Sequence, residues 1–117
     1  MNKYYNEVKD TISEVVSKGF TVDRVDFSRG FGCYEGVDYI DASSGDLSKA
    51  TDAVLLCDES HLMISTPKGD KTWIYFVLGN ELGEAVNDWG IPFDADEANV
   101  LWEAISKVSD RYMEMED

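Results

Sequence analysis

The run Thr72-Trp73-Ile74-Tyr75-Phe76-Val77-Leu78, bounded by Asp70 before it and Gly79-Asn80 after it, constrains this chain more than any other stretch. Aromatic and β-branched residues between turn formers predict a strand. Alternation puts Trp73, Tyr75 and Val77 on one face and Ile74, Phe76 and Leu78 on the other, so neither face is built for water. Such a strand belongs in the interior of a sheet. In a two-layer domain helices cover one sheet face, so the second apolar face calls for another helix, a loop or a second copy of the chain.

The 117 residues fit a single domain, 1–117, large enough to bury a core without disulfides or metal. A hydrophobic content of 44% is too high for a disordered acidic tail. The apolar runs are too short to span a bilayer, so no membrane segment is expected. Met1-Asn2-Lys3-Tyr4-Tyr5-Asn6-Glu7 lacks the cationic-then-apolar order of a secretory signal, from which a cytoplasmic protein with Cys33 and Cys57 reduced is expected.

Charge is the strongest global signal, with 24 Asp and Glu against 10 Lys and Arg and a net charge of −14. Without a cationic surplus to displace counterions from phosphates, direct nucleic-acid binding is not expected. A basic protein or a nucleic-acid-binding complex is the favoured partner; the bland alternative is that acidity serves solubility alone.

Along the chain, Tyr4 or Tyr5, Val8, Ile12, Val15 and Val16 recur at helical spacing, predicting an amphipathic helix over 2–18 with Gly19 as its stop. Phe20, Val22, Val25 and Phe27 predict a strand whose phase slips between Asp23 and Arg24, the mark of a bulge. Gly30-Phe31-Gly32 reads as part of a turn and 33–42 as a second strand weakened by Gly36. Leu47 to Ala50 reads as one helical turn, followed by a strand over 53–57, a tight turn at 58–61 and a strand over 62–65. Pro67-Lys68-Gly69-Asp70 is the next reversal, and residues 83–88 supply a short last strand. Asp94-Ala95-Asp96-Glu97 carries a capping box with Phe93 placed for a staple, opening a helix over 94–114 with the stripe Leu101, Ala104, Ile105, Val108 and Tyr112. The expected class is α+β, an antiparallel meander packed with an N-terminal and a C-terminal helix, each helix on the sheet rather than on the other.

No catalytic, cofactor or metal motif emerges, and no enzyme is expected. Cys57 and His61 bracket the expected turn and could form a thiol or metal site, but the chain has a single histidine and no third soft ligand at motif spacing. The glycines of 30–36 do not follow G-x-G-x-x-G. A calcium loop from Asp94 fails, because Asn99 stands at the glycine position and Ile105 at the terminal glutamate. On the last helix and tail, eight acids stand against Lys107 and Arg111. Asp94, Asp96, Glu97, Glu103, Asp110 and Glu114 are the candidate partner contacts, with Trp89 as an aromatic anchor; an edge-of-core role is the plainer reading of Trp89 and of Trp102.

Residues 73–80, continuing through Glu84-Ala85-Val86-Asn87-Asp88-Trp89, resemble a strand–turn–strand pattern in short uncharacterised phage and plasmid proteins. The resemblance implies a mobile-element origin, where small acidic proteins inhibit host defence complexes, including restriction and CRISPR systems. On that footing the expected function is a non-enzymatic acidic inhibitor, a DNA mimic occupying a cationic nucleic-acid channel. The alternatives are an immunity-type protein neutralising a cationic toxin nuclease, and a small-ligand binder or enzyme using the Cys57–His61 turn. A monomer with its second sheet face covered from within the chain is expected, with a C2 homodimer as the alternative.

Overall fold

The computed structural model describes residues 2–27 and 38–115. The element order is α1 (Tyr5–Ser17), β1 (Thr21–Phe27), β2 (Tyr39–Asp41), α2 (Leu47–Val54), β3 (Glu59–Ser65), β4 (Lys71–Val77), β5 (Val86–Trp89) and α3 (Ala95–Met115). The five strands form one antiparallel sheet in the order β2-β1-β3-β4-β5, so the class is α+β. The apolar run becomes β4, flanked on both sides as expected. Residues 33–37 of the second expected strand, and the turn at 30–32, lie outside the described residues.

Two bulges set the faces. Val22 pairs with Ile64 and Arg24 with Met63, leaving Asp23 as the extra residue where the phase slips. On β5, Tyr75 pairs with Asp88 but Phe76 with Val86, so Asn87 is the extra residue. Val25, Phe27, Leu62, Ile64, Ile74 and Phe76 consequently share one face and join Val8, Ile12, Val15, Ala50, Val54, Leu101, Ala104 and Ile105 in a single core.

The expected strand over 53–57 is a helix end and turn instead. β2 and β3 both run antiparallel to β1, so they are parallel to each other, and the chain must cross over the sheet between them. α2 makes that crossover. The Asp46 side chain caps it, accepting the amides of Ser48 at 2.9 Å and Lys49 at 3.3 Å, and Ala50, Thr51, Ala53 and Val54 are buried along one side. The expected turn at 58–61 moves with it, because Glu59 already opens β3.

All three helices contribute to the one core, and α1 and α3 also pack on each other, contrary to the sheet-only expectation. Tyr112 Oη donates to Asp10 Oδ2 at 2.6 Å, Arg111 reaches the same carboxylate at 3.3 Å, and Lys107 reaches Glu14 at 3.3 Å. Both helices feed the same core on one face of the sheet, and there they lie against each other. α1 also holds the β4–β5 connection: the buried Glu7 carboxylate accepts the amides of Gly83 and Ala85, and Tyr4 Oη donates to the Asn80 carbonyl.

The opposite sheet face takes no helix among the described residues. Trp73, Tyr75, Val77, His61 and Met63 lie there half-buried, shielded by one another rather than by the core. Cover by splitting the helices between the faces, one of the expected solutions, is not what the chain adopts.

Candidate functional site

The expected contact residues on α3 separate into two groups. At 100° per residue, Asp96, Glu103, Asp110 and Glu114 fall within an arc of about 40°, and all four are exposed. Lys107 lies on the same side of the helix, but its ammonium is drawn to Glu14 on α1, and Arg111 is drawn to Asp10. The outward line therefore stays negative over a rise of about 27 Å.

Asp94 and Glu97 do different work. Asp94 Oδ1 accepts the Glu97 amide at 3.0 Å, which is the cap half of the expected capping box. Its Oδ2 pairs with Lys68 Nζ at 2.6 Å. That hydrogen bond, with the Glu97 amide second, holds the Asp94 carboxyl below the ordinary carboxylate range and raises Lys68 in turn. Glu97 is 6% exposed, so it is no surface contact. Its Oε2 accepts the Lys68 amide at 3.0 Å in the β3–β4 turn instead of reaching back to close the box. The staple fails for a related reason. Phe93 is 98% exposed and Ile91 81%, because Pro92 is the residue buried between them and the Phe93 amide is held by Asp70 at 3.0 Å. A staple would also need an apolar partner four residues into the helix, where Ala98 offers little surface.

Trp89 lies opposite Ile74 and packs against the core from β5, the edge strand. It also lines a groove of about 490 Å³ between β5 and α3, together with Glu84, Val86, Ile105, Asp110 and Met113. The groove thus brings together two of the expected contact residues, Trp89 and Asp110. Among the described residues no Lys or Arg lines it. Trp102, by contrast, is exposed on α3 rather than set at the edge of the core.

On the open sheet face, the His61 and Tyr75 rings stack at 4.6 Å and 16°, and Trp73 meets His61 edge-on at 5.5 Å. Tyr75 Oη donates to the Glu59 carboxylate, which raises the Tyr75 phenol above its ordinary range, with burial second. Arg24 pairs with Asp26 at 2.7 Å and lies 5.9 Å from the Tyr39 ring. Alternating residues of β3 and β4 supply this array, which sequence reasoning left as one of two equivalent faces.

Cys57 and His61 do not converge. Cys57 is packed in the core at the turn after α2, while His61 points to the other side of the sheet in β3. Among the described residues no group of three His, Cys, Asp or Glu side chains could hold a metal ion. No helix among them is long and apolar enough to cross a membrane. No family model, curated protein or solved structure matches the chain.

Proposed function

We propose that this protein is a non-enzymatic acidic binding module that engages a basic protein surface, one that its partner uses to hold nucleic acid. The observation that carries this reading is the exposed line Asp96, Glu103, Asp110 and Glu114, from which Lys107 and Arg111 are diverted into pairs with α1. Among the described residues Lys18, Arg24, Lys68 and Lys71 are also paired with carboxylates, and the sequence as a whole carries a net charge of −14. A field of that sign steers a cationic partner and repels polyanions.

The spacing of the line bears on how such a module would compete with nucleic acid. Four charges over about 27 Å are sparser than the charge per about 3.4 Å of one DNA strand, so α3 alone does not reproduce a phosphate register. Its contribution is charge and shape, with other acids needed to raise the density. Inhibition of a host nucleic-acid-targeting defence complex is the specific form of this proposal, resting on the likeness of residues 73–89 to mobile-element proteins.

Pull-down at low and high salt from a lysate of the host tests the reading. Capture of a nucleic-acid-handling protein that is lost at high salt, and lost with Asp96→Asn, Glu103→Gln, Asp110→Asn and Glu114→Gln combined, is the expected result. Recovery of no basic partner at either salt sinks it.

A further inference from the structure

The groove between β5 and α3 combines three properties that together specify an occupant. First, β5 is the last strand of the sheet and pairs only with β4 among the described residues. The residues that serve β4 are known from their bonds: the Ala85 carbonyl accepts the Val77 amide at 2.8 Å, and the Gly90 amide donates to the Trp73 carbonyl at 2.9 Å. By alternation, Val86 and Trp89 turn their backbone groups to the free side. Second, the outward amide of Trp89 has found a local carboxylate, Asp88 Oδ1, at 2.9 Å. That contact is solvent-exposed and keeps the edge from pairing indiscriminately, yet it is easily exchanged for a strand partner. Third, the groove beside this edge presents Glu84 and Asp110 with no base lining it among the described residues, and Trp89, Val86, Ile105 and Met113 give it an apolar floor.

We infer that the β5 edge and the α3 groove receive an extended basic segment of a partner protein by strand addition. The segment's backbone pairs with Val86 and Trp89, and one set of its alternating side chains enters the groove, its apolar members over Trp89 and Met113 and its Lys or Arg members against Glu84 and Asp110. A second copy of this chain is a poor occupant, since it would bring Glu84, Asp88 and Asp110 against like charges. The inference rests on the proposed recognition of a basic partner and adds to it where and in what conformation the partner binds. The short strand and its Asn87 bulge limit the pairing to a few residues, consistent with a regulated rather than permanent contact.

The test uses the full chain and a synthetic probe, an acetylated and amidated octapeptide in which Lys and Val take turns at every second position, on the one face that meets the groove, and Thr fills the positions between. Its control carries N-methyl groups on the amides that would face the edge. The expected result is amide NMR shift changes centred on Val86, Trp89 and Ser109. Binding should weaken with salt, fall about tenfold on N-methylation as the backbone bonds are lost, and fall several-fold in Glu84→Gln with Asp110→Asn. Equal affinity for the N-methylated control overturns strand addition, as does a shift map centred on the open sheet face, or no binding of the probe at all. Salt-dependent binding mapped elsewhere sinks the groove while leaving the acidic-module reading intact. A pull-down that recovers no basic partner sinks that reading on its own terms.

Discussion

Glu7 on α1 accepts the backbone amide of Gly83 at 2.8 Å across 76 residues of sequence, and its second oxygen accepts the Ala85 amide at 3.1 Å. A carboxylate only 1% exposed is thereby spent on fastening the β4–β5 connection to the first helix. Charge-assisted bonds to buried amides stabilise by roughly 1.5–3 kcal/mol each, and their loss leaves the amides unsatisfied. Glu7→Ala is expected to destabilise the fold by about 3–4 kcal/mol in urea unfolding. Glu7→Gln, which keeps one acceptor but turns an NH₂ group toward the other amide, should lose roughly half of that. A Glu7→Ala variant within about 0.5 kcal/mol of the parent would contradict the role assigned to this pair.

Gly83 faces a second constraint from the other side. Its φ is +89°, and a Cβ there would sit 2.8 Å from the Met113 amide nitrogen and 2.9 Å from the Ser109 carbonyl oxygen, both backbone atoms of α3. Neither backbone atom can step aside without moving the helix. Gly83→Ala should therefore cost about 2–4 kcal/mol, more than the roughly 1 kcal/mol of a positive-φ penalty alone. Thermal unfolding of Gly83→Ala beside Gly45→Ala checks this, because Gly45 has a φ of +83° with nothing within 4 Å of its would-be Cβ. Equal losses in the two variants would show that α3 does not press on Gly83.

Tyr112 predicts an alkaline limit to stability. Burial first, and its hydrogen bond to Asp10 second, push its phenol up from 10.0 to about 12. The folded state holds this proton more tightly than the unfolded chain does. Its contribution is complete below pH 10 and is lost as pH rises from about 10 to about 12. The size is up to about 2 kcal/mol, and Tyr75, raised by Glu59, adds in the same direction. Ultraviolet titration should show one tyrosine ionising last, with that inflection absent in Tyr112→Phe. The variant's urea midpoint should also fall less steeply over the same pH range.

The helical character of residues 47–54 is tested at its cap. Asp46→Ala removes the acceptor for the Ser48 and Lys49 amides and should cost about 1 kcal/mol, while Asp46→Ser should restore most of it. A strand in this region would make the two substitutions indistinguishable by chemical denaturation.

The acidic line of α3 is expected to be nearly silent in the free protein. Neutralising Asp96, Glu103, Asp110 and Glu114 together removes like-charge repulsion and one favourable charge at the helix N-terminus, effects of opposite sign and a few tenths of a kcal/mol each. Stability within about 1 kcal/mol of the parent, measured by calorimetry, together with lost partner binding separates a contact surface from a structural one.

Much of this fold is legible locally. The strand expected at 72–78 and found at Lys71–Val77, the slip at Asp23, the stop at Gly19, the 67–70 reversal and the Asp94 cap each follow from residues within a few positions of one another. Side-chain alternation, bulge phase, positive φ and amide capture are short-range effects, so the sequence alone determined them. Tertiary structure decided what depended on distant partners. With both faces of β4 apolar, its residues had no preference for the inside until Leu62, Ile64 and the helix stripes supplied one. Residues 53–57 could be a strand or a helix by composition, and the parallel relation of β2 to β3 made them the end of a crossover. Glu97 looked like a surface acid because its partner, the Lys68 amide, is 29 residues away. Trp89 and Asp110 share a groove only because α3 runs beside the edge strand, a placement held by contacts such as Gly83 against Met113 that no local pattern encodes.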